Sequence, residues 1–418
     1  MINLKYISRN ILLTLLFVFV IFTPSIRFMP YYTWVMAILG LCTLTDRKFK
    51  QIIGFKSKGN SGFLKFFALV FLLNSFIIPL FHGFDDLTYI PLQIGILLTI
   101  LRCFLLIYCL HKFGKGDILS QYSRFFFAAC CIYVLFTLAF IVYPSFKFFW
   151  LDTMLTDVPD RSEDFAVYEF RYSLDGFAAF SSASVFSFAC IFCCYSIATS
   201  RKINLLMIAC LMLLVVGCFF YGRVSLVGML LGALLIIWTS GSFGKSLRIA
   251  AIIVAFVLGL LALLNMYSKT NGSLEAWQEW AFAFVKQIFI DKKVTDYSAT
   301  HMVEDMYYMP EIETVICGDG KYTNSNFSYY GHTDVGFMRL ILYGGLFCLI
   351  FVYFLIIYLA KKIVLISHNP VFNRFILFSA ILFFVLEMKG ESYQRAIMML
   401  YPLLLIQNYK NNIQYKYD

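Results

Sequence analysis

Residues 318–346 read GDGKYTNSNFSYYGHTDVGFMRLILYGGL, a polar, glycine-rich stretch that leads directly into an apolar segment ending near Ala360. His332, Asp334 and Arg339 lie within eight positions of one another in a chain that is otherwise poor in charge. A polar cluster at the end of a hydrophobic helix suits a membrane enzyme. Such an enzyme must bring a water-soluble chemical group to a group that is carried on a lipid. We therefore expect the functional site to include this junction.

The composition of the whole chain indicates a membrane protein. Hydrophobic residues make up 61% of the 418 residues and charged residues only 14%. A soluble protein of this size could not cover such a composition with a polar surface. A helix needs about 20 mostly apolar residues to cross the hydrocarbon layer, where its backbone groups must be bonded within the segment. We predict an all-α polytopic integral membrane protein with about twelve transmembrane helices.

The predicted spans form a single transmembrane domain over residues 1–418, with two long extracytoplasmic segments at 144–173 and 267–334. The second of these is the large loop between the ninth and tenth helices, and its Trp277 belongs to a predicted amphipathic helix. That helix lies either in the outer headgroup layer or on the loop's own core. In chain order, the spans are placed near residues 8–26, 29–45, 64–82, 89–110, 125–143, 174–199, 203–221, 224–240, 247–266, 335–360, 372–388 and 396–408.

The distribution of charge orients these spans. Lys and Arg are retained on the cytoplasmic side of a membrane, whereas acidic residues matter little for orientation. With both termini cytoplasmic, the inner segments carry most of the basic excess behind the net charge of +10, and the outer segments carry most of the acids. The basic residues are scattered over short loops, which argues against a nucleic-acid partner and favours an anionic lipid leaflet.

Motifs for nucleotides and metals are missing from the sequence. It contains no G-x-x-x-x-G-K-[ST] loop, no D-x-D, no H-E-x-x-H and no Cys/His cluster with metal spacing. We therefore expect no cofactor and no tightly held metal. The adjacent pair Asp85-Asp86 is interpreted as part of a solvated turn. Any chemistry should depend on arginines, a histidine and carboxylates.

Arg223 is the most informative single residue outside the junction. It lies in Tyr221-Gly222-Arg223-Val224-Ser225, a tight turn between the predicted seventh and eighth spans. An arginine so close to hydrocarbon is costly unless it snorkels or pairs, and its planar fork of donors suits phosphate oxygens. Arg171 precedes the sixth span and Arg339 lies one turn inside the tenth. We expect these three arginines to converge at one depth, with simple snorkelling as the alternative for Arg223.

His332 and Asp334 are candidate general bases. Imidazole changes charge near neutral pH, and a carboxylate can also accept a proton. The alternatives are that His332 is an ordinary loop histidine and that Asp334 is the N-cap of the tenth span.

The layout of the chain and two of its short patches resemble a known protein family. The span layout, the large outer loop, the patch Gly222-Arg223-Val224-Ser225 and the loop end Gly331-His332-Thr-Asp334-Val-Gly-Phe-Met-Arg339 are similar to bacterial O-antigen polymerases. The related O-antigen ligases have a similar layout. The residue-level match is confined to these two short patches, and the spaced arginine motif of some members is not evident around Arg161 or Arg171.

The resemblance implies a multi-pass protein of the bacterial inner membrane with both termini cytoplasmic. Its expected activity is that of a polysaccharide polymerase, a glycosyltransferase independent of metal and nucleotide. It would join undecaprenyl-diphosphate-linked oligosaccharide repeat units at the periplasmic face. The implied partners are that lipid-linked oligosaccharide, membrane lipid, and a chain-length regulator and a flippase of the same pathway.

The resemblance also suggests roles for individual residues. Arginines stabilise the charge that grows on a departing diphosphate, and a base takes the proton of the acceptor hydroxyl. An O-antigen ligase is the first alternative, because ligases carry a histidine before a late span, where His332 stands. A flippase or other transporter is the second, although its charges are expected at mid-membrane. The residues assigned are Arg223, Arg171 and Arg339 to the diphosphate, His332 or Asp334 to proton removal, and Tyr329, Tyr330 and Trp277 to the sugars.

Overall fold

The computed structural model describes most of the chain. The predicted span 247–266, Arg161, and residues 267–274 and 280–299 of the segment 267–334, which include most of its predicted amphipathic helix, lie outside the described residues. The description covers residues 4–155, 169–178, 180–200, 204–240, 244, 275, 277–279, 300, 302–324 and 328–414.

The described part of the chain is predominantly helical. A two-stranded antiparallel hairpin, β1 (Tyr172–Ser173) and β2 (Gly176–Phe177), pairs Tyr172 with Phe177. The α-helices in chain order are α1 (Leu4–Ile21), α2 (Tyr32–Thr43), α3 (Arg47–Ile52), α4 (Lys58–Leu72), α5 (Ile78–Phe81), α6 (Tyr89–Phe113), α7 (Ile118–Val142), α8 (Pro144–Asp152), α9 (Phe180–Thr199), α10 (Leu205–Tyr221), α11 (Leu226–Ser240), α12 (Ile312–Cys317), α13 (Gly336–Ile366), α14 (Pro370–Glu387) and α15 (Tyr393–Gln414).

Several of these helices have the length and composition of membrane spans. A π-helical turn, Leu73–Ile77, joins α4 to α5 into one continuous helix. Within the described ranges, six helices are long and apolar enough to cross a bilayer: Gly59–Phe81, Tyr89–Phe113, Ile118–Val142, Phe180–Thr199, Gly336–Ile366 and Pro370–Glu387. Four further apolar helices are shorter: Ile7–Ile21, Tyr32–Thr43, Leu205–Tyr221 and Arg223–Thr239. The prediction of a helical multi-pass membrane protein is thereby confirmed. The total of twelve spans and the large ninth-to-tenth loop stay predictions.

The chain folds into two compact units. The first unit comprises Met1–Pro30 and Ser123–Thr300, and the second comprises Tyr31–Tyr122 and His301–Asp418. In the first unit, α9 packs against α10 and α11. A Cβ on Gly228 of α11 would lie 2.1 Å from the carbonyl oxygen of Ser187, so this contact requires glycine.

The second unit is organised around α13. This helix contacts α4, α12, α14 and α15, while α6 packs against α2 and α15. Tyr401 of α15 is fully buried and donates to Asn60 of α4 over 3.0 Å. The N-terminal end of α13 follows directly on the polar stretch quoted at the start, so this packing positions the predicted junction.

Two glycines break helix α13. Gly344 has φ −140° and ψ 21°, and Gly345 has φ 66° and ψ −165°, a conformation that only glycine adopts readily. A Cβ on Gly345 would lie 2.2 Å from the carbonyl oxygen of Ile316 in α12. The pair therefore permits the close packing expected of it. It also interrupts the helical hydrogen-bond ladder, which the sequence pattern does not predict.

Candidate functional site

The polar stretch before α13 folds back onto the break in that helix. The amide of Asp319 donates to the carbonyl of Leu342 over 2.7 Å, and the amide of Gly320 donates to the carbonyl of Tyr343 over 3.0 Å. Backbone groups at a helix break need such partners, because leaving them buried and unpaired is costly. The loop is thus held against α13 through backbone atoms.

A buried ion pair lies at the centre of the candidate site. The guanidinium of Arg339, on the first turns of α13, is 3.1 Å from Oε2 of Glu391, in the turn between α14 and α15. Their side chains are only 7% and 6% exposed. Burying one charge alone would be very costly, so each residue requires the other. The sequence analysis identified Arg339 but not this partner.

Two tyrosines from the loop stack on the guanidinium. The ring centroids of Tyr322 and Tyr329 each lie 3.9 Å from Cζ of Arg339. At that distance the planar guanidinium has room for two rings only on opposite faces. Tyr322 is 6% exposed and Tyr329 is 47% exposed, so Tyr329 covers the pair from the surface. Such contacts are strongest when they are desolvated, as here.

Hydrogen bonds connect this pair to neighbouring elements. The hydroxyl of Tyr322 donates to Oε2 of Glu391. Tyr393 of α15 lies beside Glu391, shares a hydrogen bond of 2.8 Å with Tyr89 of α6 and accepts one of 2.6 Å from Gln93. Burial raises the pKa of the Tyr322 hydroxyl, and the nearby Glu391 carboxylate adds to that rise. The phenol therefore stays protonated and acts as a donor.

Asp86 anchors the loop at the end that carries Tyr322. Its carboxylate accepts from the amide of Tyr322 over 2.6 Å, from the amide of Thr323 over 3.0 Å and from Thr88. Burial opposes ionisation of this carboxyl, but these hydrogen bonds outweigh burial and lower its pKa. The interpretation of Asp85-Asp86 as a merely solvated turn is wrong for Asp86, because its side chain ties two parts of the second unit together.

The structure places both candidate bases on the loop end before α13. His332 is exposed and has φ 53°, a left-handed conformation that is uncommon for a non-glycine residue. Asp334 is half-buried, and its Oδ1 has no hydrogen-bond partner among the described residues. The alternative of Asp334 as N-cap is wrong, since Val335 occupies that position without a side-chain cap. Both residues remain predicted bases.

The two predicted sugar-binding tyrosines of the loop have different surroundings. Tyr329 stacks on Arg339 with much of its ring exposed, whereas the hydroxyl of Tyr330 donates to Asp319 over 3.1 Å. Burial raises the pKa of Tyr330, and its hydrogen bond to Asp319 adds to this. Tyr329 therefore fits the predicted role better than Tyr330 does.

The other predicted site residues belong to the first unit. Arg171 donates to the carbonyl of Tyr221 over 3.1 Å and stacks 4.9 Å from the ring of Phe177. Arg223 is half-buried in the short 3-10 turn Arg223–Ser225 between α10 and α11. Since Tyr221 ends α10, the structure brings Arg171 and Arg223 to the same turn. Their predicted convergence with Arg339 stays a prediction.

Trp277, which the sequence assigned to the sugars, is buried. It is 2% exposed and packs against Phe170 and Phe220, with ring centroids 5.6 Å and 5.2 Å away. A buried indole has no face available for a sugar, so this burial argues against the predicted stacking role.

Glu391, Tyr322 and Asp86 are the site residues that sequence reasoning missed. Glu391 lies in Lys389-Gly390-Glu391-Ser392, a polar interruption between two apolar helices. A carboxylate in so short a turn, in a chain with few acids, is the signal that could have indicated it. Comparisons with protein-family models, with curated proteins and with solved structures give no match to this chain.

Proposed function

We propose that this protein is a polysaccharide polymerase that joins oligosaccharide repeat units carried on undecaprenyl diphosphate. The observation that carries the proposal is the stacking of Tyr322 and Tyr329 on Arg339 beside the buried carboxylate of Glu391. Aromatic faces combined with a few placed polar groups are typical of sites for small polar ligands such as sugars. The site adjoins an apolar helix long enough to cross a membrane, as a lipid-linked substrate requires.

The reaction requires groups that stabilise a departing diphosphate and a group that takes a proton. The acceptor hydroxyl attacks the anomeric carbon of the donor chain while the lipid diphosphate departs. Guanidinium groups stabilise the charge that grows on the phosphate oxygens, and Arg171 and Arg223 at their shared turn are proposed for this task. The sequence also assigned Arg339 to this task, but the structure pairs its guanidinium with Glu391. His332 and Asp334 are the candidate bases from the sequence.

The ligase activity is the second candidate. It is favoured by the exposure of His332 directly before α13, because an exposed imidazole can exchange protons with an incoming acceptor. In that case the acceptor is the lipid A-core rather than another repeat unit.

The test is deletion of the chain in its native host, followed by gel separation of the surface polysaccharide. A polymerase predicts loss of the long ladder, with a single repeat unit still attached to the lipid core. A ligase predicts no attached sugar and accumulation of long polymer on the lipid carrier. Loss of both products, with unpolymerised units retained on the cytoplasmic face, would contradict both proposals and indicate a flippase.

A further inference from the structure

The Arg339–Glu391 pair leaves polar atoms unused. Oε2 of Glu391 accepts from both Arg339 and Tyr322, which fixes the carboxylate in place. Oε1 of Glu391 and Nε of Arg339 are buried and have no hydrogen-bond partner among the described residues. Leaving such groups unpaired costs free energy, so a partner for them is favoured. A hydroxyl group suits both, because it donates one hydrogen bond and accepts others.

The charge of the site favours a neutral ligand. Arg339 and Glu391 together carry no net charge, and Asp86, which accepts from the amide of Tyr322, adds a negative one. A diphosphate would meet the Glu391 carboxylate and be repelled by it. A neutral sugar is not repelled by the Glu391 carboxylate, and it presents an apolar ring face to Tyr329, whose ring is 47% exposed.

We propose that Glu391 binds the hydroxyl of the acceptor sugar through Oε1 and takes its proton during transfer. The inference rests on the proposed function and replaces His332 and Asp334 as the base. The hydroxyl oxygen forms a bond to the anomeric carbon of the donor chain. The bond from that carbon to the diphosphate oxygen breaks, its electron pair leaves with undecaprenyl diphosphate, and the hydroxyl proton passes to Glu391. Arg339 is a positioning residue in this scheme, since it holds Oε2.

The surroundings of Glu391 suit a base. Burial raises the pKa of its carboxyl, while Arg339, Tyr322 and Tyr393 oppose that rise without cancelling it. A general base is most efficient when its pKa approaches the working pH. In the described part of the chain, the titratable and charged groups that face Glu391 are Arg339 and Cys348 of α13, Tyr322 of the loop, Tyr393 of α15, Glu387 at the end of α14 and Tyr89 of α6.

The test uses the full chain reconstituted in lipid vesicles with the host's own repeat unit on its lipid diphosphate. The rate of polymer formation is measured against pH. Glu391→Gln should lower the rate about a hundredfold or more at every pH, and Glu391→Asp should restore part of it. In Tyr322→Phe the acid limb of the pH profile should move to higher pH, because the Glu391 carboxylate loses a donor that lowers its pKa.

Glu313→Gln is the matched control, since Glu313 is an exposed carboxylate on α12 of the same unit. It should leave both the rate and the pH profile unchanged. A folded Glu391→Gln protein that keeps its rate within about threefold would overturn the inference, and so would an unmoved acid limb in Tyr322→Phe. The second outcome does not depend on whether Glu391→Gln folds.

Failure of the proposed function gives a different result. A wild-type protein that makes no polymer contradicts the polymerase and the proton transfer together. Binding of the free repeat-unit oligosaccharide, released by mild acid and measured by saturation-transfer NMR, then tests the hydroxyl site alone. Binding that is lost in Glu391→Gln but kept in Glu313→Gln supports that site, and binding equal in all three proteins overturns it.

Discussion

Replacing Arg339 with methionine should destabilise the protein severely. The change removes the cation but keeps most of the volume between Tyr322 and Tyr329. Because both partners of the ion pair are 6–7% exposed, Glu391 would be left as a buried carboxylate without its counter-charge. Removing one partner of a buried pair costs about 3–5 kcal/mol. The two cation–π contacts add to that cost.

The loss of stability depends on how deeply the ion pair is buried. An exposed ion pair in the same unit provides a matched comparison. Lys410 lies 2.8 Å from Asp117 in the same unit, with side chains that are 33% and 50% exposed. Solvent screens such a pair, so Lys410→Met should cost at most about 1 kcal/mol. The double variant Arg339→Met/Glu391→Met should recover much of the loss, because no charge is then left buried without a partner.

The assay is reversible denaturant unfolding of the purified proteins in mixed micelles, with a double-mutant cycle over Arg339 and Glu391. A coupling free energy of about 2 kcal/mol or more is expected, since contacting residues in one network are strongly coupled. If Arg339→Met costs no more than Lys410→Met, the ion pair is not desolvated and the reasoning is refuted.

Three further predictions concern the rest of the chain. Arg223→Ala should abolish long polymer while the protein stays inserted, as judged by gels of surface polysaccharide and immunoblots of membranes; near-normal polymer would exclude Arg223 from the diphosphate role. Gly345→Ala should lower folded yield sharply, because its φ of 66° is strained for alanine and the added Cβ would meet a carbonyl oxygen of α12 at 2.2 Å; size-exclusion profiles of normal yield would contradict this. In the folded protein the pKa of Asp86 lies below its ordinary value of 3.8. The stability that its carboxylate gives to the loop is therefore fully present above pH 3.8 and is lost as the pH falls through the pKa of the folded state. Asp86→Asn should make proteolytic cleavage within residues 318–324 faster at neutral pH, and the cleavage rate should no longer rise as the pH falls. A cleavage rate equal to that of the wild-type protein would argue against this anchor.

The features predicted correctly from sequence are those that depend on local composition. Long apolar runs predict spanning helices because lipid requires every backbone group to be bonded within its own segment. The position of Arg339 inside an apolar helix was predicted in the same way, and a cation in such a place is costly unless it is paired. The turn at Arg223 follows from Gly222, whose position between two apolar runs indicates a sharp change of direction.

The features missed from sequence depend on contacts between distant parts of the chain. Glu391 is 52 residues from Arg339, and Asp86 is more than 230 residues from the loop that it anchors. Hydrophobic periodicity reports which face of a helix is apolar but not which turn of another helix meets it. The break at Gly344 was missed because a glycine pair within an apolar run also fits simple close packing.

The attachment of the loop to α13 through backbone atoms affects how the side chains of the site can change during evolution. Asp319 and Gly320 are tied to the broken helix through their main-chain amides, so replacing the Asp319 side chain does not remove either bond. Side chains that face a ligand, such as Tyr329, can then be exchanged while the frame that presents them keeps its position. A lineage of proteins built on this frame could take up new sugars by substituting a few loop residues, without having to evolve a new anchor each time.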